Sequence, residues 1–408
     1  MTAADRQPVR LSYGAASEFT CEAAAGHIVA YRPAPDPLAG LHDEVRAALV
    51  NPLDFPALAR AIIPEDRIAV ALDRHTPCAS TVIAEIWQVF ASCGVAAENV
   101  TIIQPVAVDS RRLPDPRSEL PPDVREAIAW KVHDSTAKDE SRYLASTMAG
   151  ERIYLSRDVV EADFVLPVGQ IAFDPVIGFR GTNSVFYPGL STAEVIARAH
   201  GQGHSELSLE NERPLRQVMD EVSWLMGVQF SVQVIAAADG GVSHVLAGAC
   251  DSVFARGKEL LADQWLVRLD ARCELVVAAI DGKAEFQGWQ QIGAALAAAR
   301  NLVTPGGTIV ILSELDSAPE DGINMLRGAE SPLDAIQPLR QQRRLICWRR
   351  LNWRRPPTGR TFISSAAWRT NWSRICSLPR STTLATSSGS WKPRIRACFS
   401  GRRRTSAA

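Results

Sequence analysis

The feature that most constrains the fold is a strand–helix–strand pattern between residues 67 and 105. The run "RIAVALD" is short, apolar and ends in an acid, which is typical of a buried parallel strand. "STVIAEIWQVFASCG" follows, with apolar residues at helical spacing up to Gly94, and "NVTIIQP" predicts the next strand. Strands joined through a helix lie parallel. The pattern therefore predicts an α/β fold, with parallel or mixed sheets flanked by helices.

Later segments repeat this pattern and predict a second domain. "ADFVLPVGQI" predicts a strand that leads into the loop "GFRGTNSVFYPG", and "FSVQVIAAADGGVSHVLAGA" predicts a β-hairpin. Further on, "CELVVAAID" and "TIVILSE" predict strands on either side of a helix over "WQQIGAALAAARNLV", with "TPGG" as a turn. We predict a first domain over residues 1–250, which carries the loop, and the start of a second α/β domain over residues 251–338. We expect the ligand cleft to lie between these two domains.

The last part of the chain departs from this pattern. From Leu339 to Ala408 there are 17 Lys and Arg residues and no Asp or Glu, which leaves 27 basic and 45 acidic groups in the first 338 residues. One explanation is a basic, aromatic-rich arm that binds nucleic acid. The other is a shifted reading frame in a GC-rich gene, which yields Arg, Trp, Ser, Pro and Cys. The segment has neither helical nor strand periodicity. One GC-leaning choice of codons for "RTFISSAAWRTNWSRICSLP", read two nucleotides on, gives a peptide with acidic residues and helical patterning, which favours the frameshift. We therefore predict no nucleic-acid partner.

Cysteine usage and hydropathy bear on the compartment. The eight cysteines are scattered and form no CxxC pair, which argues against a zinc ribbon and a disulfide framework. The amino terminus is polar and carries no apolar segment of signal-peptide length. No stretch approaches the roughly 18 consecutive apolar residues of a membrane span. The sequence predicts a reduced, cytoplasmic protein that makes no membrane contact.

Several residues near the predicted strand ends can bind or transfer charge. Arg180 lies in the loop and is a candidate anion clamp, because guanidinium offers a two-pronged fork to a carboxylate; a structural salt bridge is the alternative. The main-chain amides of Gly178, Gly181 and Gly189 can also face an anion. His75 follows a predicted strand, where doubly wound folds place their sites, and is a candidate acid or base.

Motifs along residues 11–314 resemble one known family. They are "LSYG", "ALDRHTP", "VTIIQPVAVDSR", "GQIAFDPVIGFRGTNSVFYPG", "AEVIARAH" and "LVTPGGTIVILSE". The chain resembles the LarA-type, nickel-pincer-dependent lactate racemases and their relatives. The resemblance implies a nickel ion in a pincer made from a nicotinic-acid derivative, which is tethered to a lysine and takes a histidine ligand. Two further histidines serve as acid and base in racemisation, and cofactor-maturation proteins become possible partners.

The resemblance assigns a role to each matching position. The tether lysine falls on Ser184, beside Gly181 in the cofactor loop. The two acid/base histidines fall on Asp174 and near Asp109. The nickel ligand is matched by His200.

Substrate-binding positions match in part. The "QxxK" pattern of the second domain keeps Gln291 but has Ala294 in place of its lysine. The family's substrate-binding arginine lies in a shortened "DRHTP" segment, which makes Arg74 a loose match.

The same side chains can also have purely structural roles. Carboxylates such as Asp174 and Asp109 can act as acid and base where burial or a neighbour shifts the pKa of one of them. An Asp before Pro175 is otherwise a turn residue. A lone His200 near a helix end is otherwise a cap or a surface residue, although imidazole suits nickel.

The sequence thus leads to two functional hypotheses. The first is a racemase or epimerase of a lactate-like 2-hydroxy acid, with chemistry altered or lost and any nickel-pincer cofactor held without a covalent tether. The alternative is a non-catalytic protein that binds an anionic small molecule in the same cleft.

Overall fold

The computed structural model describes residues 6–24, 28–32, 34–105, 113–174, 176–200, 211, 213–266, 269–282, 284, 287–316 and 397–400. The strands, in chain order, are β1 (Arg6–Tyr13), β2 (Ser17–Ala24), β3 (Ile28–Arg32), β4 (Ile68–Leu72), β5 (Val100–Gln104), β6 (Ala129–Val132), β7 (Ser141–Ser146), β8 (Arg152–Ser156), β9 (Phe164–Gln170), β10 (Ala172–Asp174), β11 (Gly178–Arg180), β12 (Phe230–Ala236), β13 (Val242–Ala249), β14 (Cys273–Ala279), β15 (Val303–Leu312) and β16 (Ala397–Ser400). The α-helices are α1 (Leu41–Val50), α2 (Ala79–Ser92), α3 (Pro122–Ala127), α4 (Arg157–Val160), α5 (Ala193–His200), α6 (Pro214–Leu225), α7 (Cys250–Trp265) and α8 (Trp289–Leu302).

Residues Pro35–Gln264 form one compact unit around a six-stranded sheet. Its strand order is β13-β12-β9-β4-β5-β6, and neighbouring strands run parallel except in the antiparallel β12–β13 hairpin. The predicted strand–helix–strand pattern and hairpin are confirmed. The sheet is mixed and is flanked by helices, as expected for an α/β fold.

The central strand β4 shows why the apolar runs form this sheet. All five of its residues are buried. Val70 packs in the core that contains Phe90 of α2, whereas Ala69 and Ala71 face a second core that contains Val185 and Phe186. A strand covered on both faces needs a continuous apolar run rather than an alternating one. The loop that follows β11 therefore packs directly against one face of the sheet.

Residues Met1–Ala34 and Trp265–Ala408 group into the other compact unit. In its described part, strands pair in parallel in the order β15-β14-β16-β3. The β1–β2 hairpin buries Val9, Leu11 and Tyr13 in a core with Val277 and Leu312. The domain boundaries predicted from the sequence, with divisions after residues 250 and 338, stay a prediction.

One local expectation is wrong. The segment "TPGG" was expected to be a turn between α8 and the next strand, but β15 begins at Val303 and runs through it. The pairing with β14 jumps from Val303 to Thr308, and Gly306 has a φ of +82°. A positive φ without steric cost is what glycine provides, so the segment interrupts the ladder instead of ending the strand.

The structure bears in part on the expectations for the carboxyl-terminal segment, the cysteines and membrane spans. Of residues 339–408, the structure describes Ala397–Ser400, which pairs with β14 and β3 as strand β16; the frameshift hypothesis stays a prediction. Among the described cysteines Cys21, Cys78, Cys93 and Cys250 are free, whereas Cys273 is disulfide-bonded, contrary to a wholly reduced chain. No helix in the described ranges is long and apolar enough to cross a membrane.

Candidate functional site

The carboxyl ends of the parallel strands carry a row of buried glutamines. Gln104 ends β5, Gln170 ends β9, and Gln233 lies within β12; their exposed fractions are 3%, 1% and 0%. Strands that are parallel present their carboxyl ends at one edge of the sheet, where doubly wound folds bind ligands. This edge is therefore the candidate site.

His75 is fixed by the loop that follows β4. The backbone N–H of Asp73 donates to the carbonyl of Val168 at 2.8 Å, which ties this loop to β9. The Asp73 side chain then accepts a hydrogen bond from the backbone N–H of His75 at 2.8 Å. Arg74 and His75 are both half-buried at the carboxyl end of β4. The structure thus puts two predicted site residues at the sheet edge.

Gln170 connects this loop to Arg180. We orient its amide so that the nitrogen donates to the carbonyl of His75 at 3.2 Å; the amide oxygen then accepts from the Arg180 guanidinium. The opposite orientation would leave oxygen facing oxygen and nitrogen facing nitrogen. His75 and Arg180, which are far apart in the sequence, are therefore joined through one buried glutamine.

Arg180 is a half-buried cation. Its Nε atom is buried and has no hydrogen-bond partner, and no carboxylate within the described part of the chain forms an ion pair with it. A guanidinium that has lost water and lacks an anionic partner is costly. The electrostatics of the edge therefore favour an anion beside Arg180.

Asp174 serves the tight turn between β10 and β11. Its Oδ1 atom accepts from the backbone N–H groups of Val176 at 2.8 Å and Ile177 at 3.1 Å. This is the local side-chain-to-backbone bonding for which aspartate is favoured in turns. The turn role considered at the sequence level is present, and Oδ2 makes no described hydrogen bond.

Ser184 closes the short 3-10 helix Thr182–Val185. Its Oγ accepts from the backbone N–H of Gly181 at 2.9 Å, and its own N–H donates to the Gly181 carbonyl at 3.2 Å. Gly181 has a φ of +129°, and a Cβ there would lie 2.8 Å from Cγ1 of Ile171. Glycine is required at this position by both conformation and space.

Arg216 of α6 holds the same loop and was not predicted from the sequence. Its guanidinium donates to the Gly181 carbonyl at 3.1 Å and to Oγ1 of Thr182 at 3.2 Å. It pairs with Asp220 at 2.9 Å and lies 3.9 Å above the ring of Phe254. Unlike Arg180, Arg216 has partners within the protein for its guanidinium N–H groups and its charge. Its role is therefore to position the loop.

Asp220 extends this clamp to the middle of the 3-10 helix. Its Oδ1 accepts from Nδ2 of Asn183 at 2.9 Å, and the hydroxyl of Ser223 donates to Oδ1 of Asn183 at 2.8 Å. Asn183 is buried, so both ends of its amide need partners. Two adjacent turns of α6 thus bind the loop through side chains.

The exit of the loop is anchored at Tyr187. Its hydroxyl donates to Oε1 of Glu151 at 3.4 Å and lies 3.4 Å from an NH2 group of Arg198, which also pairs with Glu151. Burial, the largest effect, raises the pKa of Tyr187, so it stays a neutral donor. Arg198 belongs to α5, whose orientation is therefore tied to the loop.

The remaining predicted residues lie elsewhere. Gln291 is in the other compact unit, at the first turn of α8, where its Oε1 accepts from the N–H of Gly288 at 2.9 Å. Asp109 lies outside the described residues. His200 ends α5, but its side chain is not described. In the described ranges, no group of three or more His, Cys, Asp or Glu side chains is arranged to hold a metal ion.

Two signals in the sequence bear on the residues that were missed. Gln170 and Gln233 are polar residues within the largely apolar strand runs "VLPVGQI" and "FSVQVIA", and such residues in a core indicate a buried hydrogen-bonding role. Arg216 has no such signal, because it lies on an amphipathic helix 36 residues after Arg180.

Comparison with known proteins identifies a family domain in the first half of the chain. Residues 15–209 match the family model described as the lactate racemase N-terminal domain, and this range includes the β4–β9 core and the whole loop. A lactate racemase of Thermoanaerobacterium thermosaccharolyticum is 20% identical over 282 residues, which is 67% of this chain. These matches support a LarA-like relative of the lactate racemases, with the family model covering 195 of the 408 residues. It spans 65% of the length of that curated relative.

Solved structures support the fold of this LarA-like chain. The lactate racemase apoprotein of Thermoanaerobacterium thermosaccharolyticum superposes with a TM-score of 0.64 and 18% identity, covering 81% of each chain. A structural-genomics crystal structure from Thermotoga maritima gives a TM-score of 0.58 and 12% identity, covering 81% of this chain and 87% of the other. At these identities, the superpositions establish the shared fold alone.

The family resemblance implies a cofactor tethered to a lysine at position 184, and the residue present there does not fit that linkage. Serine at position 184 has no amine to form the linkage, and its hydroxyl already accepts the hydrogen bond that closes its own turn. A cofactor of the nickel-pincer type would therefore have to be held at this loop without a covalent bond to residue 184.

Proposed function

We propose that this LarA-like protein is a racemase or epimerase of a lactate-like 2-hydroxy acid whose chemistry differs from that of its relatives. The substrate class is taken from the curated relative, which is named a lactate racemase. The altered chemistry is proposed because serine and aspartate occupy positions 184 and 174, to which the family resemblance assigns lysine and histidine.

One observation carries the substrate proposal. Arg180 is half-buried, its Nε is unsatisfied, and it lacks an ion-pair partner among the described residues. A 2-hydroxy acid carries a carboxylate, which is the anion that a guanidinium binds through two parallel hydrogen bonds. Gln170, held by the carbonyl of His75, positions Arg180 for this contact.

The proposal gives the other residues the following work. Inversion at the hydroxyl-bearing carbon requires that the carboxylate be held while hydrogen leaves one face and returns to the other. Arg180 holds the carboxylate, and Arg74 and Gln291 are the further candidates for orienting the substrate. Asp174, through Oδ2, and His75 are the candidates for moving protons, with Asp109 as the third. His200 is the candidate metal ligand.

The decisive experiment is an interconversion assay. The protein, co-expressed with cofactor-maturation proteins, is incubated separately with D-lactate and L-lactate, and the enantiomers are followed by chiral chromatography. We expect formation of the opposite enantiomer from either starting material, and a rate at least about tenfold lower for Arg180→Gln. No interconversion of lactate or of other 2-hydroxy acids would reject the enzymatic proposal.

The non-catalytic alternative uses the same carboxylate contact. Saturable lactate binding without interconversion is the result that would select it, and no contact in the described residues favours it over catalysis.

Intact mass spectrometry addresses the cofactor separately. We expect no covalent adduct on Ser184, whereas an adduct localised there would contradict the untethered arrangement.

A further inference from the structure

A cavity of about 450 Å³ lies at the amino-terminal ends of the strands of the six-stranded sheet, opposite the carboxyl ends that form the candidate site. It opens beside Phe164 and Phe230, the first residues of β9 and β12, whereas Gln170 ends β9. Seven strand residues at about 3.3 Å each separate the two ends of β9 by roughly 20 Å. The cavity is therefore distinct from the site around Arg180, and its volume is that of a small-molecule pocket.

Most residues that line the cavity are aromatic or aliphatic, and polar atoms also face it, among them those of Arg60, Asp163 and Gln229. The rings of Phe55 and Phe230 meet edge to face, with centroids 5.4 Å apart, and Phe164 adds a third ring. Val160 and Met226 line the same space from α4 and from the end of α6. Such a lining suits an amphipathic ligand, with an aromatic ring or apolar chain against the apolar side chains and a polar group beside them.

The loop that carries Phe55 is held rigidly. The Leu53 N–H donates to the Ala247 carbonyl at 2.8 Å, and its carbonyl accepts from Ala249 at 2.9 Å. This pairing is possible because Gly248, with a φ of +137°, has no Cβ, which would lie 2.2 Å from the Leu53 carbonyl oxygen. A wall built in this way is preformed, which reduces the entropy lost on binding.

Of the two charged side chains that line the cavity, one is paired and the other has no described partner. Arg60 is exposed and has no hydrogen-bond or ion-pair partner for its guanidinium among the described residues. Asp163 also lines the cavity, but Arg67 holds both of its oxygens, at 2.8 and 3.0 Å. The free charge at the mouth is therefore a single cation that can bind an anion with two hydrogen bonds.

We propose that this cavity binds a small amphipathic monocarboxylate, with its apolar part against Phe55 and Phe164 and its carboxylate on Arg60. This second site goes beyond the proposed racemase function and does not depend on it. Its ligand differs in chemistry from a short 2-hydroxy acid, because the half-buried rings of Phe55 and Phe164 offer contacts to a larger apolar group.

Calorimetric titration of the full chain with 3-phenylpropionate tests the proposal. We expect saturable binding, about tenfold weaker for Arg60→Gln, and equally weak for the neutral analogue 3-phenylpropionamide, because each change removes a charge-assisted pair. The matched control is Arg152→Gln, which removes an exposed arginine outside the cavity and should bind like the wild type.

A second variant separates occupancy of the cavity from surface charge. Ala162→Leu adds bulk at a residue that lines the cavity and should weaken 3-phenylpropionate binding at unchanged thermal stability. Equal affinity for the wild type, Arg60→Gln and Ala162→Leu would overturn the site. Loss of the 3-phenylpropionate signal in excess lactate would also overturn the proposal, because the occupant would then be lactate. A concentration-dependent dimer that Arg60→Gln disrupts would overturn it as well, because a second copy of the chain would then fill the cavity.

Discussion

Arg180 and Arg216 act on the same loop, yet the two side chains have opposite electrostatic states. Arg216 is 8% exposed and is matched by Asp220, two acceptors from the loop and the Phe254 ring. Arg180 is half-buried, and its one polar contact among the described residues is with Gln170. A positioning arginine is satisfied within the protein, whereas a ligand-binding arginine keeps its capacity for an anion.

Gly181 sets the shape of the loop between these two arginines. We expect Gly181→Ala to lower the free energy of unfolding by about 2–3 kcal/mol, because it combines a disfavoured backbone angle with a contact of 2.8 Å to Ile171. Chemical denaturation measures this loss. Gly150→Ala is the control: its φ of +80° is also positive but nothing lies within 4 Å. A loss no larger than the control's would show that space at Gly181 is not limiting.

At the scale of elements, α6 and the 3-10 helix behave as one piece. Asp220 accepts from both Arg216 and Asn183, so it joins the two elements. We expect Asp220→Ala to cost about 2 kcal/mol, because it leaves a buried guanidinium without its carboxylate while Asp220 itself is partly solvated. Glu259→Ala, which removes an exposed i,i+3 pair with Arg256, should cost at most about 0.5 kcal/mol. Equal losses in urea denaturation would argue that Asp220 makes a surface contact only.

The starts of β4 and β9 are joined by Arg67 and Asp163. Hydrogen bonds from the Arg67 side chain, the largest effect, and from its backbone lower the pKa of Asp163 from 3.8 to about 2. A lowered carboxyl pKa contributes stability above pH 4 that is lost as the pH falls towards 2. We expect Asp163→Asn to destabilise the protein at pH 6, and the difference from the wild type to shrink as the pH falls to 2 and to vanish below it. A difference between the two proteins that does not change with pH would contradict this linkage.

At the scale of the whole molecule, apolar periodicity predicted the α/β class. Runs such as "RIAVALD" become strands buried on both faces, and their connecting segments become helices. Residues 1–34 belong to the later compact unit, and no local period encodes this because strand pairing there joins distant segments. The candidate site likewise contains residues that the sequence predicted and residues that it did not. His75 and Arg180 were predicted from local motifs, whereas Gln170 and Arg216 act through contacts that only the folded chain creates.

The amino-terminal hairpin makes a prediction at this scale. We expect Leu11→Ala, which removes a side chain 1% exposed in the core with Val277, to cost about 2–4 kcal/mol. Hydrogen exchange should increase in β14 and β15 and stay unchanged in β9, which has its own core. Ser12→Ala, at a half-buried neighbour, is the control. Faster exchange in β9 by the same amount would contradict two separate cores.

The central claim is that Arg180 binds the carboxylate of a 2-hydroxy acid. Isothermal titration of lactate into the wild type, Arg180→Gln and the exposed control Arg256→Gln tests it most directly. We predict saturable binding by the wild type and the control, and at least about tenfold weaker binding by Arg180→Gln at comparable thermal stability, because a charge-assisted pair contributes about 1.5–3 kcal/mol. Lactate affinity that is unchanged in Arg180→Gln would contradict the claim.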